Sequence, residues 1–147
     1  MPTQEQISKE LLEAMKSKDA VRTSTLRMLL SAVRNKEIEK KKSLAEGDFL
    51  EVIQTEAKRR KESMAEYTKA GRADLASKEE AELNVLKVYL PQPLSETELK
   101  ALIQSAIASS GAKNPQDMGK VMSVIMPQIK GRADGKEAQQ LVKEALQ

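Results

Sequence analysis

Apolar residues recur along this chain every three or four positions, and no run alternates in the way that marks a half-buried strand. Helix caps punctuate the pattern. Thr3 with Gln6 forms a capping box opening a helix to about Lys16, with Ile7, Leu11, Leu12 and Met15 on its apolar side. Asp19 caps a second helix from about Ala20 to Lys41, where Leu26, Leu29, Leu30 and Val33 follow i, i+3, i+4, i+7 spacing. Arg27, Arg34 and Lys41 form a second stripe on it, seven residues apart. Gly47 interrupts. Asp48 with Glu51 then opens a third helix to about Ala70, which buries Phe49, Val52, Ile53, Ala57, Met64 and Tyr67 and stops at Gly71. Asp74 caps a fourth, reaching Leu90 through Leu75, Leu83, Leu86 and Tyr89. Two helices of about 22 residues, roughly 33 Å each, predict a long antiparallel hairpin in this half.

Pro91 and Pro93 forbid continuation of the fourth helix, and Ser95 with Glu98 starts a new capping box. The pattern therefore divides the chain into an N-terminal helical bundle over 1–92 and a C-terminal three-helix module over 95–147, hinged at Pro91–Ser95. The module reads as helices from about Glu96 to Ser109, ending at Gly111; from Pro115 to Met126, capped by Asn114 and closed by Pro127; and from Gly135 to Leu146, capped by Asp134 with Glu137 at N3. Met118, Met122 and Met126 read as core. Gly119 inside a helix costs about 1 kcal/mol relative to Ala, which implies a close backbone approach that compensates. The fold class is all-α.

Composition narrows the chemistry. The chain has no His, Cys or Trp, which removes Ser-His-Asp triads, Cys-His pairs, structural zinc and the histidine arm of a di-iron bundle. No catalytic residue, metal ligand or cofactor site is assigned. Glu79 and Glu82 stand at helical spacing, but a carboxylate bundle needs His to complete it. The absence of cysteine, and of an apolar run in the first residues, gives the expectation of a cytosolic protein. Nothing approaches the ~20 apolar residues that span a bilayer; VMSVIM at 121–126 is short and is followed by Pro127, so no membrane partner is expected.

Net charge is +3, unevenly placed. KRRK at 58–61 cannot share one helix face, because four successive residues cover about 300°. Arg60 falls on the apolar stripe, three residues after Ala57 and four before Met64. A structural ion pair follows, with Glu79 or Glu82 on the next helix or Glu37 on the second as its partner. Lys58, Arg59 and Lys61 stay available to solvent or a polyanion. KGRADGK at 130–136 sets Lys130, Arg132 and Lys136 around a helix N-terminus, a place that favours phosphate, although an Asp134 cap would already hold those amides. With Lys120 these are the candidate RNA contacts.

Arg27, NKEI at 35–38, AGRADL at 70–75, KEEAEL at 78–83, YLPQPLSETEL at 89–99, DMGKVM at 117–122 and GRADG at 131–135 occur in an order and spacing that resemble the YqeY-like proteins of bacteria over essentially the full length. Through Gly119, Val121, Met122, Gly131 and Ala133, the C-terminal module is also similar to the tail domain of GatB, the tRNA-binding subunit of the glutamine-dependent amidotransferase. The resemblance implies two helical bundles, the second helping to hold tRNA while domains absent from this family perform the chemistry. It favours a non-catalytic accessory protein that contacts tRNA or another folded RNA. The alternatives are a component of a carbon–nitrogen ligase acting on misacylated tRNA with glutamine as amide donor, and a helical protein–protein adaptor. Near-absence of aromatics leaves shape and phosphate, not base stacking, as the basis of recognition.

Overall fold

The computed structural model describes residues 2–147, and every regular element among them is helical. In chain order they are α1 (Gln4–Lys16), α2 (Ala20–Lys40), α3 (Glu46–Lys69), α4 (Ala73–Lys87), α5 (Glu96–Ser110), a 3-10 turn (Pro115–Asp117), α6 (Met118–Ile129) and α7 (Gly135–Ala145). They form two compact units that divide after Leu90.

In the N-terminal unit α3 and α4 make the most intimate hairpin, α1 lies on α2, and α2 packs against both α3 and α4. Ile7, Leu26, Leu29, Val33, Ile53 and Leu86 are fully enclosed between them. The buried stripe of α1 is Ile7, Leu11 and Ala14, so Leu12 (58% exposed) and Met15 (44%) face outward, against the expectation that both are core. Two acidic caps also prove to be something else. Asp48 accepts a 2.7 Å bond from the Lys40 ammonium, and α3 begins two residues before it at Glu46 with no side-chain cap. Asp74 is held by both arms of the Arg72 guanidinium (3.2 and 3.1 Å) and does not cap α4. These bonds keep both carboxyls below the usual range. Thr3, Asp19 and Ser95 do cap their helices, Ser95 in a complete box with Glu98.

Three helices here end in the same Schellman geometry. The 6→1 bonds are Asp19 N–H to Ala14 C=O, Lys42 N–H to Glu37 C=O and Arg72 N–H to Tyr67 C=O, each with its 5→2 partner. The left-handed position is Gly71 (φ 72°) after α3, but Lys18 (φ 58°) and Lys41 (φ 56°) after α1 and α2. A side chain in that region costs roughly 1–2 kcal/mol, so two lysines sit where glycine would be cheaper. Tyr89, beyond α4, donates its hydroxyl to the Glu10 carboxylate on α1, where Arg22 of α2 approaches the same oxygen at 3.9 Å. Burial and the Glu10 charge push the phenol up to about 12.

In the C-terminal unit α5, α6 and α7 all touch one another around Leu99, Ile103, Val121, Ile125, Ile129 and Val142. Pro127 does not end α6, as its sequence position suggested; the helix continues to Ile129. The proline is exposed and its missing amide would have bonded the carbonyl of exposed Ser123, which faces water, while Ile129 is 1% exposed and gains about 1.5–3 kcal/mol by staying in register. Met126 lies outward at 42% exposure, and is not core. Gly119 has open space where a Cβ would stand, so the close approach inferred for it does not occur within the fold. Residues 92–94 are not a loose tether: Leu94 N–H bonds the Arg132 carbonyl at 2.8 Å and Arg132 Nε bonds the Gln92 carbonyl at 2.9 Å.

Candidate nucleic-acid interface

The KRRK run separates by helix face. Arg60 is buried in α3 with Glu56, one turn earlier, and Glu82 of α4. Its Nη1 donates to the Glu56 carboxylate (3.0 Å) and carbonyl (3.1 Å), and its Nε stands 3.4 Å from Glu82 without hydrogen-bond alignment. Of the partners inferred from sequence the structure brings Glu82 to Arg60 and leaves Glu79 and Glu37 outside the pair. Glu56 was missed. Its i−4 spacing to Arg60 was the available signal. Arg59 closes the charge balance, reaching Glu56 at 3.3 Å from the solvent side. Lys58 and Lys61 point to solvent.

Arg59 is therefore a poor phosphate contact. The concavity of about 280 Å³ beside it carries Glu39, Glu51 and Glu56 against Lys36 and Arg59, an excess of acid that repels a polyanion. No group of three or more carboxylates among the described residues is placed to hold a metal ion, and Arg60 occupies the space between Glu56 and Glu82.

The C-terminal candidates also divide. Arg132 is half-buried and tied through Nε and its carbonyl to residues 92–94, which makes it an anchor of the unit's own chain. Lys120 stands 3.7 Å from Asp117, whose carboxyl is held below the usual range first by the Lys113 amide (3.0 Å), so this lysine's charge is partly countered. Asp134 takes the Lys136 amide at 3.0 Å, occupying the α7 N-terminus that an anion would need. Lys130 and Lys136 are exposed, with no carboxylate at ion-pair distance among the described residues. Lys136 shares a shallow concavity of about 300 Å³ with Lys143, Gln139, Gln140, Pro115 and Met118. No acid lines it. Lys143 was missed from sequence, although it follows Lys136 by seven residues and so falls on the same face of α7.

Together these features define a two-unit all-α protein whose N-terminal bundle encloses one arginine, Arg60, and whose C-terminal bundle presents lysines outside. The chain belongs to the Yqey-like protein family, whose model matches residues 4–146. It is similar to proteins named "Altered inheritance of mitochondria protein 41, mitochondrial" from three fungi. Identity is 37% over 74% of this chain in Lachancea thermotolerans, 31% over 84% in Pyrenophora tritici-repentis and 32% over 73% in Saccharomyces cerevisiae. The matches cover 60%, 69% and 62% of those proteins' own lengths. Their names correct the expectation of a cytosolic protein and point to a mitochondrial setting. Absence of cysteine means only that no disulfide forms, and does not distinguish the cytosol from the interior of an organelle. Among the described residues no helix is long and apolar enough to cross a membrane.

Proposed function

We propose that this protein is a non-catalytic accessory factor that holds folded RNA, tRNA in the first instance, through its C-terminal three-helix unit. The observation that carries the reading is the acid-free concavity on α7 with Lys136 and Lys143 on its rim. Two lysines seven residues apart lie about 10.5 Å apart along the helix, far enough to reach separate phosphates. Gln139 supplies an amide that bonds phosphate or ribose oxygens, while the Gln140 amide is held by the Glu144 carboxylate at 3.2 Å, and Lys130, exposed elsewhere on the unit, adds a third cation. Support also comes from the similarity of this unit to the tail of the amidotransferase subunit that holds tRNA. Arg132, by contrast, serves the fold.

The test is anisotropy of labelled, folded tRNA with the full chain across a salt series. Three phosphate contacts give a log-affinity against log-salt slope of about −2 to −3. Absence of binding at low salt would end the reading. The purified chain should form no amide on misacylated tRNA supplied with glutamine and ATP, and amide formation would move it among the carbon–nitrogen ligases.

A further inference from the structure

A broad concavity of about 620 Å³ lies on the N-terminal unit, far in sequence from the lysines of α7 and formed by different chemistry. Along α2 it is lined by Ala20, Thr23, Ser24, Arg27 and Met28, and Met15 and Lys18 complete it from α1 and the connecting turn. The α2 positions are i, i+3, i+4, i+7 and i+8, one complete helix face distinct from the buried stripe of Leu26, Leu29 and Val33. The same face continues through Ser31 and Arg34 to Ile38, which is 68% exposed.

Three properties set this face apart from ordinary solvated surface. Its positions from Ala20 to Arg34 carry no acid, the two acids of α2, Glu37 and Glu39, coming only beyond Arg34, and Asp19 before it has its carboxylate engaged by the Arg22 amide at 3.1 Å. Its cations are unpaired: Lys18, Arg27 and Arg34 have no carboxylate within ion-pair distance among the described residues, and Arg27 Nη2 rests against the Met15 sulfur at 3.7 Å. It also leaves Met15 and Met28 about half exposed, with Leu12 beside Met15 on α1. Lys18 holds its left-handed backbone at the mouth of the groove, in a turn that glycine would close with less strain.

We infer that this face of α2 is a docking groove for an amphipathic helix of a partner protein that carries acidic residues about seven positions apart beside an apolar stripe. Charge complementarity selects the occupant. Arg27 and Arg34 are seven residues apart, so an antiparallel or parallel helix with carboxylates at that spacing meets both at once. Ala20, Ser24 and Ser31 let the second backbone come close, and the methionines adapt to its apolar side chains. An RNA occupant would leave Met15, Met28 and Ile38 against water and would find no aromatic to stack on. The inference stands independently of the RNA reading, which concerns the other unit.

The probe is a designed helix of about 20 residues, with leucine and alanine on one stripe and glutamates at seven-residue spacing, titrated into the isotope-labelled full chain and followed by amide chemical shifts. Saturable shifts should centre on Ala20, Ser24, Arg27 and Met28. Charge reversal by Arg27→Glu with Arg34→Glu should weaken the glutamate helix roughly tenfold or more, and a lysine version of the helix should bind that variant in its place. Ser24→Trp, at an exposed site, should block both helices while the shifts of the core stay native. Equal binding of the acidic and basic helices by the native chain, shifts confined to other surfaces, or displacement of the peptide from α2 by folded tRNA would each overturn the inference.

Discussion

Arg60 and Lys136 both belong to basic runs of the sequence, yet one is 4% exposed between two glutamates and the other stands in solvent on an acid-free rim. The difference lies in helix phase. Arg60 occupies the buried stripe of α3, where desolvating a guanidinium is tolerable only with Glu56 and Glu82 in place. Lys136 and Lys143 occupy the outer face of α7, whose buried stripe is Ala138 and Val142, so their charges need no internal partner. Density of positive charge thus says little about a binding surface until the face is known, and a basic run can be split between the two roles, as KRRK is.

The sharpest way to break this comparison is to remove the buried charge. Arg60→Ala leaves two carboxylates enclosed, and should lower the stability of the N-terminal unit by about 3–5 kcal/mol in urea denaturation, against under about 1 kcal/mol for Lys61→Ala. Equal midpoints for the two variants would place Arg60 functionally on the surface. Neutralising the cluster together, by Arg60→Met with Glu56→Gln and Glu82→Gln, should cost less than Arg60→Ala alone, because no orphaned charge remains.

Tyr89→Phe should cost about 1.5–3 kcal/mol, since it removes a hydrogen bond to a charged carboxylate. The same contact has a pH signature. The folded phenol is pushed up to about 12 from an ordinary value near 10, so the folded state retains a proton that the unfolded chain loses. This contribution is fully present below about pH 10 and is lost as pH rises through 12. Denaturation midpoints followed from pH 9 to pH 12 should fall more steeply in the native chain than in Tyr89→Phe; parallel curves would contradict the assignment.

Backbone effects are smaller. Lys18→Gly should stabilise by up to about 1 kcal/mol and Gly71→Ala should destabilise by roughly 1–2 kcal/mol, the same helix-ending geometry read from its two sides. Gly119→Ala, where nothing crowds a Cβ, should stabilise by about 1 kcal/mol. A melting temperature lowered by that change would reveal a constraint on α6 that its packing does not explain.

Helix number and type and the inward setting of Arg60 were legible because each rests on local periodicity or on capping chemistry. What the sequence concealed depends on competition between partners. Asp48 and Asp74 have the spacing of caps, yet Lys40 and Arg72 reach them first. Leu12 and Met15 have the spacing of core residues, yet α2 covers only the Ile7–Leu11–Ala14 side of α1. Within the candidate site, Lys130 and Lys136 came from the KGRADGK motif at a helix N-terminus, Lys143 was overlooked, and the anchoring of residues 92–94 by Arg132 depends on a contact across 40 positions of sequence that no local pattern encodes.

The central claim, that exposed lysines on the C-terminal unit hold RNA while the buried arginine of the other unit does not, is tested most directly by the salt dependence of tRNA binding in a Lys130→Ala, Lys136→Ala, Lys143→Ala variant. Each lost phosphate contact lowers the magnitude of the slope by up to about 1, so the triple variant should lose roughly two to three units while its helical circular dichroism and melting stay native. A slope unchanged from that of the native chain would contradict the account.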